Sequence, residues 1–311
     1  MTGPGSGMLD VSVIVPVRND RGGHLRALVD ALGRQTLARD RFEVVVGADG
    51  STDGSADGVA TADGWVRVVH GPPRNSYAAR NMAAGAARPS RVLAFVDSDC
   101  IPDPTWLEEG IAALAEADAA AGGITFSFPE RQTIWTFIDV ETTKDHESEV
   151  KIGNAETANL FVRREFFEGI GGFDDTIPEH GDFEFARRTV ERGGRLIYAP
   201  AAHCLHPARS SGRSYLKMVW IMHRWYAARE VRAGRRPLGL TVRWWVPLVA
   251  HLKWRRDQGR SLRLDRRRLG ANGLRPRLVD DLRALPLMYV FLPYFAGAAQ
   301  VRGFFDGRRL R

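Results

Sequence analysis

Cysteine is almost missing: only Cys100 and Cys204 occur among 311 residues. Two thiols make no disulfide framework, so a reducing, cytoplasmic setting is the expected one. No repeat period is visible. The opening residues, Met1 to Gly7, lack both the basic start and the apolar core of a secretory signal. Residues 1–10 therefore read as a disordered leader. Glycine is sparse directly after the first apolar run, where Arg18-Asn19-Asp20-Arg21-Gly22-Gly23 is too poor in it to serve as a glycine-rich, basic loop. That argues against a sugar-nucleotide nucleotidyltransferase. Long apolar runs are also scarce. The one uncharged stretch, Ala284 to Val301, has 18 residues, the lower limit for a membrane span. Pro286, Pro293, Gly297 and Gln300 make it a better shallow segment or core helix.

What is present is an ordinary globular composition, 44% hydrophobic and 26% charged, with the charge unevenly spread. Residues 207–311 carry 24 Lys/Arg against 6 Asp/Glu, a balance of +18. Residues 1–206 carry 20 against 31, a balance of −11. The acidic part suits a site built from carboxylates around a metal. The basic part suits an anionic partner. Trp220, Trp225, Trp244, Trp245 and Trp254 also lie there, and basic charge interleaved with Trp is typical of interfacial helices. No nucleic-acid motif accompanies the charge, so the anionic surface of a membrane is the expected partner.

Apolar runs at residues 11–17, 42–47, 66–69, 92–96, 158–162 and 196–198 read as strands. Leu25, Leu28, Val29 and Leu32 recur at helical spacing, residues 78–87 are alanine-rich, and Leu107, Ile111 and Leu114 mark a further helix. Alternating strands and helices with short joints predict a mostly parallel sheet flanked by helices over residues 11–206. The polar stretch 126–154 reads as a long, mobile connection. Residues 207–311 read as a mainly helical, basic extension.

The run Val92-Leu93-Ala94-Phe95-Val96 ends in Asp97-Ser98-Asp99. A short run this apolar predicts a strand covered on both faces, and ligands of such sheets bind beyond the carboxyl ends of strands. Paired carboxylates there suit Mn²⁺ or Mg²⁺ carrying the phosphates of a nucleotide. In an extended run, residues i and i+2 share a face, which would aim both at one ligand.

Several segments together resemble glycosyltransferase family 2, the inverting enzymes of GT-A fold. Val13-Ile14-Val15-Pro16-Val17-Arg18-Asn19 is similar to the family's opening V-I-V-P-V-Y-N, with Arg18 for tyrosine. Ala48-Asp49-Gly50-Ser51-Thr52-Asp53 is similar to D-D-G-S-T-D, with Ala48 for the first aspartate. Ala79-Arg80-Asn81, Asp97-Ser98-Asp99 and Gly171-Gly172-Phe173-Asp174 match A-R-N, D-x-D and G-G-F-D. Gly181-Asp182-Phe183-Glu184-Phe185 stands where the family has E-D-x-D-L, with Gly181 for glutamate. The resemblance covers about residues 11 to 206.

It implies a GT-A-like fold and a metal-dependent transfer of sugar from a nucleotide-diphosphate donor, UDP- or dTDP-linked, to an acceptor hydroxyl. Pro16, Arg18, Asp49, Arg80 and Asp97 fall at donor-binding positions, Asp49 being an acceptor for the imide N–H of a uracil or thymine. Asp99 is the expected metal ligand with His206, against which His203 competes. Asp182 is the expected general base, with Glu179 and Glu184 as rivals; it also stands where a helix N-cap would. Asn159 and Glu184 are candidates for the acceptor side. A lipid-linked glycan is the expected acceptor class, reached from the cytoplasmic face of a membrane. The alternative is a non-catalytic degenerate transferase serving as a membrane-associated scaffold, which Ala48 and Gly181 mildly favour.

Overall fold

A computed structural model describes residues 7–20, 22–232, 234 and 264–309. The chain divides into two units, residues 1–125 with 145–206 and residues 126–144 with 207–311.

The first unit is built on an eight-stranded sheet in the order β3-β2-β1-β4-β7-β6-β8-β5. The strands are β1 (Leu9–Val17), β2 (Phe42–Asp49), β3 (Val66–Gly71), β4 (Ser90–Val96), β5 (Ile101–Pro102), β6 (Ala119–Ser127), β7 (Asn159–Arg163) and β8 (Leu196–Pro207). The last residues of β6 and β8 belong to the second unit. Strands β1 to β4 pair in parallel, whereas β7 runs antiparallel to β4 and β6, and β5 antiparallel to β8. Alternate residues of one strand feed different cores: Val13, Val15, Val44 and Val46 join one cluster, Ile14 and Val45 the other. That is the signature of a sheet covered on both faces, and it is why these runs are continuously apolar.

The helix His24–Leu32 buries Leu25, Leu28, Val29 and Leu32, the residues whose spacing predicted it. The helix Ser76–Ala86 covers the opposite face, buries Ala83 and Ala84, and passes very close to β2. A Cβ on Gly47 would lie 2.4 Å from the Ala79 carbonyl oxygen, so only glycine admits this approach.

Three local expectations are corrected. Leu9 is buried and pairs with Ser90, so the first strand begins inside the expected leader 1–10. The final strand of the unit runs twelve residues, Leu196–Pro207, far beyond the predicted 196–198. The stretch 126–154 is not a mobile connection: it carries the helices Ile134–Thr142 and His146–Val150.

The polar character of residues 134–142 reflects buried ionic contacts. In the second unit Asp139 and Glu141 are fully buried. Asp139 accepts from the Arg209 backbone N–H at 2.8 Å and from its guanidinium at 3.1 Å, and Glu141 from the Asp265 N–H at 3.0 Å. Around them Phe137, Ile138, Val140, Tyr215, Val219, Leu264, Leu269 and Met288 form the unit's own core. Trp220 and Trp225 lie on the helix Gly212–Arg232, whereas Trp244, Trp245, Trp254, Pro237 and Pro247 lie outside the described residues.

Removing one partner of a buried ion pair leaves an uncompensated charge. Asp139→Ala should therefore lower unfolding free energy by about 3 kcal/mol in urea titration; a loss near zero would restore the solvated-connection view of this segment.

Candidate active site

The carboxyl ends of β1, β2 and β4 open on a cleft of about 560 Å³. Pro16, Arg18, Asp49, Arg80, Asp97, Asp99 and Asp182 all line it, joined by Arg74, Asn75, Tyr77, Ser98, Thr157, Pro178 and Glu179. The β1–β2 register sets Pro16 beside Gly47 and Val17 beside Ala48.

Asp49 closes β2 as a buried carboxylate. Its Oδ1 accepts from the Arg74 backbone N–H at 2.6 Å, and the exposed Arg18 guanidinium stands 3.9 Å from Oδ2. Ala48, where the family has aspartate, belongs to the apolar cluster beneath the sheet. The departure from the motif thus lies in the core, while the carboxylate that faces the cleft is retained.

Asp97 and Asp99 reach the cleft by a route different from the expected one. β4 ends at Val96, and the next residues form a turn closed by a 3.1 Å hydrogen bond from Cys100 N–H to the Asp97 carbonyl. The alternation of an extended strand does not apply there. Asp97 instead accepts from Arg80 Nη2 at 2.5 Å. Arg80 is buried, and its Nε has no hydrogen-bond partner among the described residues.

Asp99 Oδ1 lies 3.7 Å from His206 Nε2. Asp99, Cys100 and His206 present ligand atoms within 4.8 Å of one another. A carboxylate and an imidazole this close fit a divalent cation with positions open for phosphate oxygens. Cys100 does not suit a hard cation, because a hydrogen bond with Cys204 and complete burial push its thiol well above the usual range. His203 is excluded from the site: Nδ1 meets Asp103 at 2.9 Å and Nε2 meets Thr125 at 2.8 Å.

Asp182 sits in the first turn of the helix Gly181–Glu191, whose N-cap is His180, so the expected N-cap role for Asp182 is corrected. His180 takes a left-handed φ of 61°, uncommon for a residue with a side chain. Asp182 Oδ1 accepts from the Tyr77 hydroxyl and from the Phe183 N–H, both at 3.0 Å, and Oδ2 from the Thr157 N–H at 3.3 Å. Glu179 completes an acidic pair: burial, and then the Asp182 charge, push its carboxyl up to about 7.

Two acceptor-side candidates are not in the cleft. Asn159 is fully buried, with Oδ1 accepting from Trp106 Nε1 at 2.8 Å and Nδ2 donating to the Gly123 and Ala202 carbonyls. It locks strands together. Glu184 is turned toward Arg188, one helical turn on, in a two-pronged contact at 2.9 Å. Arg188 in turn holds the Gly172 carbonyl at 2.7 Å, so the pair braces the Gly171–Gly172 turn. Tyr77 and Thr157 escaped the sequence argument. Tyr77 was legible in retrospect, since it lies three residues before Arg80 and so shares its helix face.

Residues 12–171 match the family model for glycosyl transferase family 2. The glycosyltransferase AglE of Haloferax volcanii is 31% identical over 230 residues, 69% of this chain and 75% of that protein. The N-acetylglucosaminyl-diphospho-decaprenol L-rhamnosyltransferase of Mycobacterium tuberculosis is 28% identical over 305 residues, 82% of this chain and 97% of that one. Several other curated relatives are longer proteins, of which the chain spans less than half. Among solved structures, a mannosyltransferase from Pyrobaculum calidifontis in complex with GDP-Man and Mn²⁺ superposes with a TM-score of 0.60 at 20% identity, over 97% of this chain and 89% of that one. The sheet order, the motif-bearing cleft and these likenesses converge: the chain belongs to glycosyltransferase family 2 and has its GT-A fold.

Proposed function

We propose that the cleft transfers a sugar with inversion from a UDP- or dTDP-linked donor to an acceptor hydroxyl, with Asp182 taking the acceptor's proton. The observation that carries this is the convergence of Asp49, Arg80, Asp97, Asp99 and Asp182 on one cleft. Asp49 accepts from the imide of the base, while Arg80 and Asp97 orient the donor. Five carboxyl groups, counting Glu179, are a poor host for a diphosphate unless a cation accompanies it. Asp99 and His206 would hold that cation, Mn²⁺ or Mg²⁺, which would offset the charge gathering on the departing diphosphate. The scaffold alternative loses its support, because packing accounts for Ala48 and, as argued below, for Gly181.

Proton acceptance and donor binding separate cleanly in one variant. Asp182→Asn keeps the size of the side chain but removes the base. With a panel of nucleotide sugars and Mn²⁺, turnover should fall ~10²-fold or more with donor affinity nearly unchanged. Should Glu179→Gln abolish turnover while Asp182→Asn retains it, the base has been assigned to the wrong carboxylate.

For the metal, calorimetry with UDP is the direct measurement. Mn²⁺ should tighten UDP binding in the wild type, and Asp99→Ala should erase that gain; equal affinity with and without Mn²⁺ would contradict the assignment.

The acceptor we favour is a lipid-linked glycan at the cytoplasmic face of a membrane. One relative is named for a diphospho-decaprenol substrate. In the second unit the helical stretch Leu278–Asp306 is long and apolar enough to cross a membrane, with 39% of its most apolar window buried. Leu278, Leu282, Val290, Phe291 and Phe305 are exposed along it. Partial burial and exposed apolar side chains beside arginines favour lying on the surface. Full-length protein should co-sediment with vesicles containing anionic lipid and be released by salt; failure to bind at low salt would remove the membrane from this account.

A further inference from the structure

Tyr77 stands between the two halves of the cleft. Its ring is buried against Phe173, with centroids 5.7 Å apart, and the Arg80 guanidinium lies 5.6 Å from its centroid. Its backbone N–H donates to the Asn75 side chain that caps the helix, at 3.0 Å. Its hydroxyl donates to Asp182 Oδ1. The helix on which Arg80 grips Asp97 therefore also grips Asp182. Burial and the Asp182 charge hold the phenol well above its usual range, so it stays protonated and donates throughout the working pH range.

Gly181 belongs to the same arrangement. A Cβ there would lie 2.7 Å from Cδ2 and 2.8 Å from Cε2 of the Tyr77 ring. Contacts that close do not occur between real side chains, so the ring occupies the space a residue at 181 would need. A glutamate here, as the resembled motif has it, would have to displace an aromatic ring that comes from another helix.

We infer that Tyr77 is a positioning residue for the proton acceptor Asp182, and that Gly181 exists to admit its ring. The inference rests on Asp182 being the base. Hydrogen bonds from Tyr77, Phe183 and Thr157 fix the plane of the carboxylate, and the phenol favours its ionised form. Among the described residues Glu179, from the segment before its own helix, shares the surroundings of Asp182, and Arg80 faces the Tyr77 ring rather than the carboxylate; Glu184 and Arg188 on its own helix pair with each other. Loss of the phenol hydroxyl thus raises the proton affinity of Asp182. Activity then fails at a higher pH on the acid side.

The test is a set of four variants assayed beside the wild type for kcat, donor KM and pH profile, with melting temperature as a control. Tyr77→Phe should lose about 10-fold in kcat, keep donor KM, and move the acid limb of its profile up by roughly one pH unit. Gly181→Ala retains the hydroxyl but displaces the ring, and should show the same two changes; it carries the test if Tyr77→Phe does not fold. The double variant should be no worse than the poorer single one, because both remove one interaction. Multiplying losses would overturn the link between the two residues. Wild-type kcat and acid limb in Tyr77→Phe, with Asp182→Asn inactive, would overturn the inference and leave the base assignment standing. An active Asp182→Asn would overturn the base assignment itself.

Discussion

The close packing of the Ser76–Ala86 helix on β2 is the constraint from which the cleft follows. Gly47 lets the Ala79 carbonyl approach the strand, and this sinks the first turns of the helix to the level of the strand ends. From there Arg80 reaches Asp97, Tyr77 reaches Asp182, and Asn81 holds Phe173 through both its backbone N–H, at 3.0 Å, and its carbonyl, at 2.8 Å. Asn75 and Arg74, just before the helix, tie Asp175. The Asp97 and Asp182 sides of the cleft are therefore spaced by one rigid element. Side chains on loops would hold that spacing less well. A bulkier residue at 47 would lift the helix and loosen every one of these contacts together.

The cleft is also electrostatically unbalanced. Asp97 is offset by a buried arginine and Asp182 by three neutral donors, yet Glu179 is left to share its surroundings with Asp182. Burial first, and then the charge of Asp182, push the Glu179 carboxyl up to about 7, so it can keep its proton beside an ionised neighbour. A site with that surplus favours ligands that bring positive charge with them. The arginines at the rim remain solvent-accessible: the Arg18 guanidinium stands 3.9 Å from Asp49, and that of Arg74 pairs with Asp175 at 2.9 Å.

Much of the first unit was legible because buried parallel strands can hardly be written any other way than as short, continuous apolar runs. The carboxylates at their ends were legible for the same reason. What misled were places where the backbone leaves regular structure or a polar residue is buried. Asp97 and Asp99 share the cleft through a turn, which strand alternation cannot foresee. Asn159 looked like a ligand residue because its partners, Trp106, Gly123 and Ala202, come from distant segments. Glu184 sits one residue pair from Asp182 in sequence, but helical rotation carries it to Arg188 instead. Residues 134–142 looked like a loop because Asp139 and Glu141 break the apolar pattern, although both are buried against groups 70 and more residues away. Sequence distance hides a partner more effectively than composition does.

That last feature changes how the basic end of the chain should be weighed. A balance of +18 over residues 207–311 suggests that many arginines are available to an anionic surface. Within the second unit several are already committed. Arg209 is held by Asp139, Arg266 by Asp281, and Arg224 and Arg302 by Asp306. Arg268 spends its guanidinium on the Val140 and Thr143 carbonyls. The bonds of Arg224, Arg266 and Arg268 each tie one helix to another, and that of Arg209 ties its segment to the helix Ile134–Thr142, so part of the charge density there serves folding first. Attraction to the membrane surface we propose would then fall to the remaining arginines together with the exposed apolar side chains between Leu278 and Phe305. Charge of this kind acts over about 10 Å in 0.1 M salt, while apolar contact needs touch. The arginines would govern approach and the apolar side chains would govern residence, which is a different division of labour from one in which net charge alone holds the chain in place.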